Sequence, residues 1–166
     1  MIREAEPKDL PVILDIMNEA ILNSTTVYDY APKTMEFVED WFQKKHLDKA
    51  PVLVYEMDRK TVAYGTYGRF RPRDAYRFSV EHSIYVHKDF RGAGTGTQLL
   101  AELIKRAKEE GYHTMIAGID AANEKSYEFH RKMGFVEAGR VKEVGYKFDT
   151  WLDLIFMQLM LKKDRT

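Results

Sequence analysis

The sequence predicts an α/β fold built on a mixed, strongly twisted sheet. Two observations carry that expectation. Apolar residues switch repeatedly between helical spacing and strand alternation along the chain. The resulting order is a strand, two helices, three strands that look antiparallel, a βαβα run, and two last strands.

Each element has its own signal. "IREA" reads as a short first strand. In "EPKDLPVILDIMNEAIL", Val12, Ile13, Ile16, Met17, Ala20 and Ile21 recur at helical spacing, with Pro7 near the first turn, where a missing N–H costs little. After the loop "NSTTVYDYAP", Thr34 is placed to cap a second helix that runs to about His46, with Phe37, Val38, Trp41 and Phe42 on its apolar face. "PVLVYEM" and "TVAYGTYGRF", separated by the polar turn "DRK", read as a hairpin. In the next strand, "RFSVEHSIYVH", Phe78, Val80, His82, Ile84 and Val86 share one face, and Ser79, Glu81, Ser83 and Tyr85 the other. A glycine loop leads to a helix with Leu99, Leu100, Leu103, Ile104 and Ala107 on one side and Gly111 just past its end. "TMIAGI" is a strand. "NEKSYEFHRKMGF" is a short helix that Asn123 can cap and Gly134 can end. "FVEAGRVKEVGY" and "WLDLIFMQLML" are the last strands.

The bounds agree with one globular unit. A single domain is expected over all 166 residues, of which 45% are hydrophobic, with no repeat or linker tract. The 26 basic and 26 acidic side chains cancel, which argues against broad binding to nucleic acid or an anionic membrane. The chain has no cysteine, so thiolate metal sites and cysteine nucleophiles are excluded. The five histidines show no metal-ligand spacing, and no metal is expected. No signal core or transmembrane run is present, and the default expectation is a cytoplasmic protein.

"DFRGAGTGTQLL" puts Arg91, Gly92, Ala93, Gly94, Thr95 and Gly96 between a strand and a strong helix former. The first-turn N–H groups of a helix have no internal partner and lie at the positive end of its dipole. Glycines let a phosphate approach them, and an arginine adds a charged donor, so the loop suits a pyrophosphate. The plainer alternative is a strand-to-helix turn that happens to be rich in glycine. A P-loop would end in Gly-Lys-Ser/Thr, and a dinucleotide fingerprint would carry a third glycine; neither is present.

"RGAGTG" does match Arg/Gln-x-x-Gly-x-Gly/Ala, the acyl-CoA loop of the GNAT superfamily of N-acetyltransferases. "VEHSIYVH" resembles that family's central strand, and "NEKSYEFHRKMGF" its later asparagine-led helix. "NSTTVYDY", "AYRFSVEHSIYVHKDFRG", "FHRKMGF" and "VGYKFDTWLDLIFMQL" resemble the phosphinothricin and methionine sulfoximine or sulfone acetyltransferase subgroup, so the likeness covers nearly the whole chain.

The resemblance implies a splayed central sheet and acetyl-CoA as donor. Backbone groups of Ile84, Tyr85 and Val86 would pair with the pantetheine, Arg91 through Gly96 would hold the pyrophosphate, and Asn123 and Ser126 match cofactor-contacting positions. Simple helix capping is the other reading of Asn123, and the two roles are compatible. It also implies a small-molecule amine acceptor, a lysine (Lys147 here) near the acceptor carboxylate, and a homodimer that helps build the acceptor site.

Acetyl transfer to an amine needs a base, because the free amine is scarce at neutral pH. Glu81, in mid-strand, is the candidate, and it matches the base of the resembling enzymes. Its structural alternative is pairing with an arginine such as Arg77. His82, on the opposite face, reads as a hydrogen-bonded sheet histidine. Many relatives carry a tyrosine acid where this chain has His130. The proton donor to the thiolate therefore stays open between His130, Tyr127 and solvent. Arg71, Arg73 and Arg77 form a basic stretch, read either as a solvated loop or as part of an anionic-substrate pocket. Other acceptors (a protein N-terminus, a polyamine, an aminoglycoside) and a non-catalytic acyl-CoA sensor remain as alternatives.

Overall fold

The computed structural model describes residues 1–161. Seven strands and four helices follow one another as β1 (Ile2–Glu4), α1 (Leu10–Asn23), α2 (Met35–Leu47), β2 (Val52–Met57), β3 (Lys60–Arg69), β4 (Ser79–Val86), α3 (Thr95–Glu109), β5 (Thr114–Asp120), α4 (Glu124–Lys132), β6 (Val136–Lys147) and β7 (Thr150–Met160). The sheet order is β1-β2-β3-β4-β5-β7-β6. β4 and β5 pair in parallel, whereas β1–β2, β2–β3, β5–β7 and β6–β7 are antiparallel. The expected mixed α/β sheet is therefore present.

The chain divides into two compact units. Met1–Gly68 with Ser83–Leu100 makes the first, and Arg69–His82 with the chain from Ala101 onward makes the second. The boundary falls within β4, after His82.

In the first unit, Leu10, Ile13 and Ile16 of α1 and Val38 of α2 are buried with Val52, Val54 and Tyr64 of the β2–β3 hairpin. Each such side chain contributes about 1.5–3 kcal/mol by leaving water. Thr34 caps α2 as expected, its side chain accepting from the Phe37 N–H. The N-terminus is held by a charge cluster that the sequence did not announce. Arg3 donates to both Asp9 and Glu56, and Thr61 donates to Asp9. Burial pushes the Asp9 carboxyl up, but the Arg3, Thr61 and Glu6 backbone donors outweigh it and hold the pKa down at about 2.

In the second unit, β7 lies between β5 and β6 although it follows β6 in the chain. Burial explains the order. β7 buries Leu152, Ile155 and Met157, while β6 is exposed along nearly its whole length and takes the edge. The β6–β7 turn is made by Phe148 and Asp149, both at positive φ (52° and 55°). Two-residue hairpin turns need that backbone and prefer Asn-Gly, which is why this turn was not legible in the sequence. Gly111 (φ 86°) and Gly134 (φ 93°) end α3 and α4 as read from the sequence. Beyond Gly134, the Phe135 N–H reaches back to the His130 carbonyl at 3.0 Å and brings Phe135 into the core.

Candidate active site

The alternation the sequence predicts for β4 shows in burial only from Val80 to His82, and Ser83 to Val86 are all half-buried. Val80 and His82 are buried, and Glu81 between them is exposed. Phe78 departs from it: the strand starts only at Ser79, and Phe78 is 51% exposed beside Arg77, whose guanidinium lies 4.8 Å from its ring.

No hydrogen bond holds the Glu81 carboxylate among the described residues. Partial desolvation raises its pKa above the ordinary glutamate range, and the Arg71 charge opposes that rise. The open surface at Glu81 keeps the desolvation incomplete. The nearby cation is thus Arg71 rather than Arg77. Arg71, Arg73 and Arg77 are all exposed, and none of them makes an ion pair among the described residues. Arg71 lies 5.2 Å from the Phe70 ring. Lys147 is the last residue of β6; it is 4% exposed, with its Nζ 5.1 Å from the Phe148 ring centroid.

Asn123 caps α4, accepting from the Ser126 N–H at 3.1 Å. At the other end of that helix, His130 is buried. Its Nδ1 lies 2.7 Å from the Ser126 carbonyl oxygen, and its Nε2 3.1 Å from the Nε2 of His82. A carbonyl only accepts, so Nδ1 carries the proton, and the lone pair on Nε2 receives the His82 N–H. Burial lowers the pKa of His130 and brings that of His82 to about 3, with the His130 charge adding to the effect on His82. In this neutral form the one N–H of His130 is engaged by the Ser126 carbonyl. Tyr127 is also directed elsewhere, its hydroxyl donating to Glu137 at 3.0 Å on the surface.

In the first unit, β4 ends at Val86 and the chain enters the glycine loop. Gly92 (φ 84°) and Gly94 (φ 78°) are left-handed, and a side chain built at either would meet nothing within 4 Å. Glycine is there for the backbone turn, and the space beside it is open. The Gly94 carbonyl accepts from the Gln98 N–H at 3.1 Å, so α3 starts directly at the loop. Thr95 is 2% exposed, and its hydroxyl makes no hydrogen bond among the described residues. The Arg91 guanidinium braces the loop. It donates to the Val86 carbonyl at 3.2 Å and to Glu19 of α1 at 2.7 Å. Tyr85 is packed against the Tyr64 ring, 5.2 Å between centroids.

Residues 2–156 match the family model described as the acetyltransferase (GNAT) domain. The chain belongs to the GNAT acetyltransferase family. It is an acetyl-CoA-dependent N-acetyltransferase with the GNAT fold. The acetyltransferase is similar to the L-methionine sulfoximine/L-methionine sulfone acetyltransferase of Pseudomonas paraeruginosa, 42% identical over 99% of this chain and 96% of the relative. It is also similar to the solved ribosomal-protein-alanine N-acetyltransferase of Brucella melitensis, with TM-score 0.95 and 44% identity over 96% of this chain and 99% of that one. A third likeness is to a phosphinothricin acetyltransferase of Sinorhizobium meliloti, solved in complex with acetyl-CoA. There the TM-score is 0.93 and the identity 36%, over 96% of this chain and 87% of that one. Among its described residues, the acetyltransferase has no group of three or more metal-ligating side chains and no helix long and apolar enough to cross a membrane.

Proposed function

We propose that this acetyltransferase moves acetyl from acetyl-CoA to the α-amino group of a small amino acid or analogue, such as methionine sulfoximine, methionine sulfone or phosphinothricin. The observation that carries the reading is Glu81: a carboxylate of raised proton affinity, next to Arg71, on the strand that leads into the glycine loop. Glu81 takes a proton from the acceptor ammonium, directly or through water. The amine nitrogen then attacks the thioester carbonyl carbon and the C–N bond forms; the nitrogen gives its second proton to water or to the leaving sulfur as the C–S bond breaks and the thiolate leaves. The described pairing of β4 with β5 runs from Ser79 to Glu81. Beyond it, backbone groups of Ile84, Tyr85 and Val86 pair with the pantetheine, and an N–H near Val86 polarises the carbonyl. Asn123 and Ser126 complete the cofactor contacts. Arg71 and Lys147, with Arg73 and Arg77 at the rim, meet the acceptor's anionic groups.

The segment from Arg91 to Gly96, the glycine loop and the start of α3, holds the pyrophosphate through backbone N–H groups. Gly94→Val places a β-branched residue at φ 78° and fills the open space beside the loop. Acetyl-CoA affinity is expected to fall about tenfold or more. Calorimetry on the folded variant that returned an unchanged affinity would reject this role for the loop.

The acceptor is tested by thiol release from acetyl-CoA with the free amino acids, their carboxyl amides, spermidine and a peptide starting with alanine. The free acids are expected to react best, because a carboxylate held by a cation is a charge-assisted contact worth about 1.5–3 kcal/mol. Preference for the amides or spermidine would overturn the amino-acid assignment. Preference for the peptide would favour the second reading, a protein N-terminus, which the Brucella likeness keeps open.

A homodimer through the β6–β7 hairpin fits the same reading. Val144, Tyr146, Phe148 and Trp151 are 52%, 44%, 57% and 61% exposed there, an aromatic surface on an edge strand. Sedimentation is expected to give a dimer that Trp151→Glu dissociates. A monomeric wild-type protein would remove this interface.

A further inference from the structure

We infer that His82 is a positioning residue for acetyl transfer: its Nε2–H holds His130 in one tautomer and, through it, leaves the Ser126 hydroxyl free to donate a hydrogen bond to the departing sulfur. The inference rests on the reading of Ser126 as a cofactor contact. It concerns the face of β4 opposite Glu81.

The hydrogen-bond chain has one consistent assignment. His130 Nδ1 lies 2.7 Å from the Ser126 carbonyl oxygen and 3.4 Å from the Ser126 hydroxyl oxygen. The reverse tautomer would set a nitrogen lone pair against the carbonyl oxygen. With the proton on Nδ1, Nε2 of the neutral ring is an acceptor. The 3.1 Å contact to His82 Nε2 therefore needs a proton on His82 Nε2. His82 Nδ1 is left bare, and it is buried with no hydrogen-bond partner among the described residues. The two rings lie 5.1 Å apart, both against Phe135 (5.5 and 5.4 Å), so neither is free to swing away.

A buried acceptor left without a donor is unfavourable, and an apolar residue would pack at His82 without it. What the histidine supplies is the N–H on Nε2. Without that donor, His130 can carry its proton on Nε2 and turn Nδ1 into an acceptor. The nearest donor for such an Nδ1 is the Ser126 hydroxyl. With the donor present, the hydroxyl can accept from Nδ1 but cannot donate to it. Ser126 is half-buried in the first turn of α4, and its hydroxyl proton is then available to the thiolate that forms as the C–S bond breaks. The sulfur keeps the bond's electron pair and is stabilised by the hydrogen bond; the Ser126 proton is shared, not lost.

Nitrogen-15 NMR of the histidine-labelled wild-type protein reads the tautomers directly. The expected result is His130 protonated at Nδ1 and His82 at Nε2; any other assignment overturns the inference. His82→Leu is expected to lower kcat about tenfold or more with acetyl-CoA affinity close to wild type. Ser126→Ala should give a similar loss, and the double variant should be no worse than either single one. His82→Gln, which places an amide N–H near the original Nε2, should recover most of kcat. Wild-type kcat in His82→Leu, additive losses in the double variant, or no recovery in His82→Gln would each overturn it. The acidic limb of the pH profile should persist in all of these variants and vanish only when Glu81 is replaced. Failure of the Glu81 reading is thereby told apart from failure of this one.

Discussion

With Glu81 as the proposed base, Glu81→Gln is expected to lower kcat by about 10²-fold or more, the usual size of general-base catalysis, and to leave acetyl-CoA affinity nearly unchanged. Glutamine is close in shape but cannot take the ammonium proton. The acidic limb of the rate profile, assigned in this proposal to protonation of Glu81, is expected to disappear with it. Stability gives an independent check. Folding raises the Glu81 pKa, so the native state holds this proton more tightly than the unfolded chain does, and stability from this group falls as pH rises through the folded pKa. Above that folded pKa the ionised carboxylate therefore opposes folding. The melting temperature of Glu81→Gln is expected to equal or exceed that of the wild type, so a loss of rate is not a loss of fold. A variant that keeps near-full kcat and the same pH dependence would place the base elsewhere.

Arg71→Ala is expected to move that acidic limb to higher pH and to raise the KM for the amino acid about tenfold, with the KM for acetyl-CoA little changed. The sign follows from the charges. Burial raises the Glu81 pKa and Arg71 lowers it, so removing the cation lets the carboxyl rise further and lose activity sooner as the solution is acidified. Arg71 is exposed, and added salt should screen the same interaction in the wild-type protein and shift its limb in the same direction. Steady-state rates over pH at two ionic strengths measure both effects. An unmoved limb would mean that the titrating group is not the carboxylate beside Arg71.

Much of the molecule was legible from local pattern. The caps Thr34 and Asn123 and the stop glycines Gly111 and Gly134 act where the sequence places them, because capping depends on residues a few positions apart. The glycine loop was legible for the same reason: left-handed backbone at Gly92 and Gly94 is a local requirement. Strand alternation alone put Glu81 on the face opposite Val80 and His82. The position of β7 between β5 and β6 was not readable, because two consecutive apolar strands leave open which one takes the edge.

The amino-acid sequence by itself determined the α/β class, the caps, the loop and the face that carries Glu81. All of these follow from periodicities of two and 3.6 residues and from backbone constraints within a turn. Tertiary structure alone decided which charges and rings meet. It set Arg71 rather than Arg77 beside Glu81, tied Arg91 to Glu19, and brought His82 within 3.1 Å of His130 across 48 residues of chain. Those meetings depend on how a strand and a helix pack, and the burial that shifts the pKa of Glu81 and the two histidines exists only once they have packed.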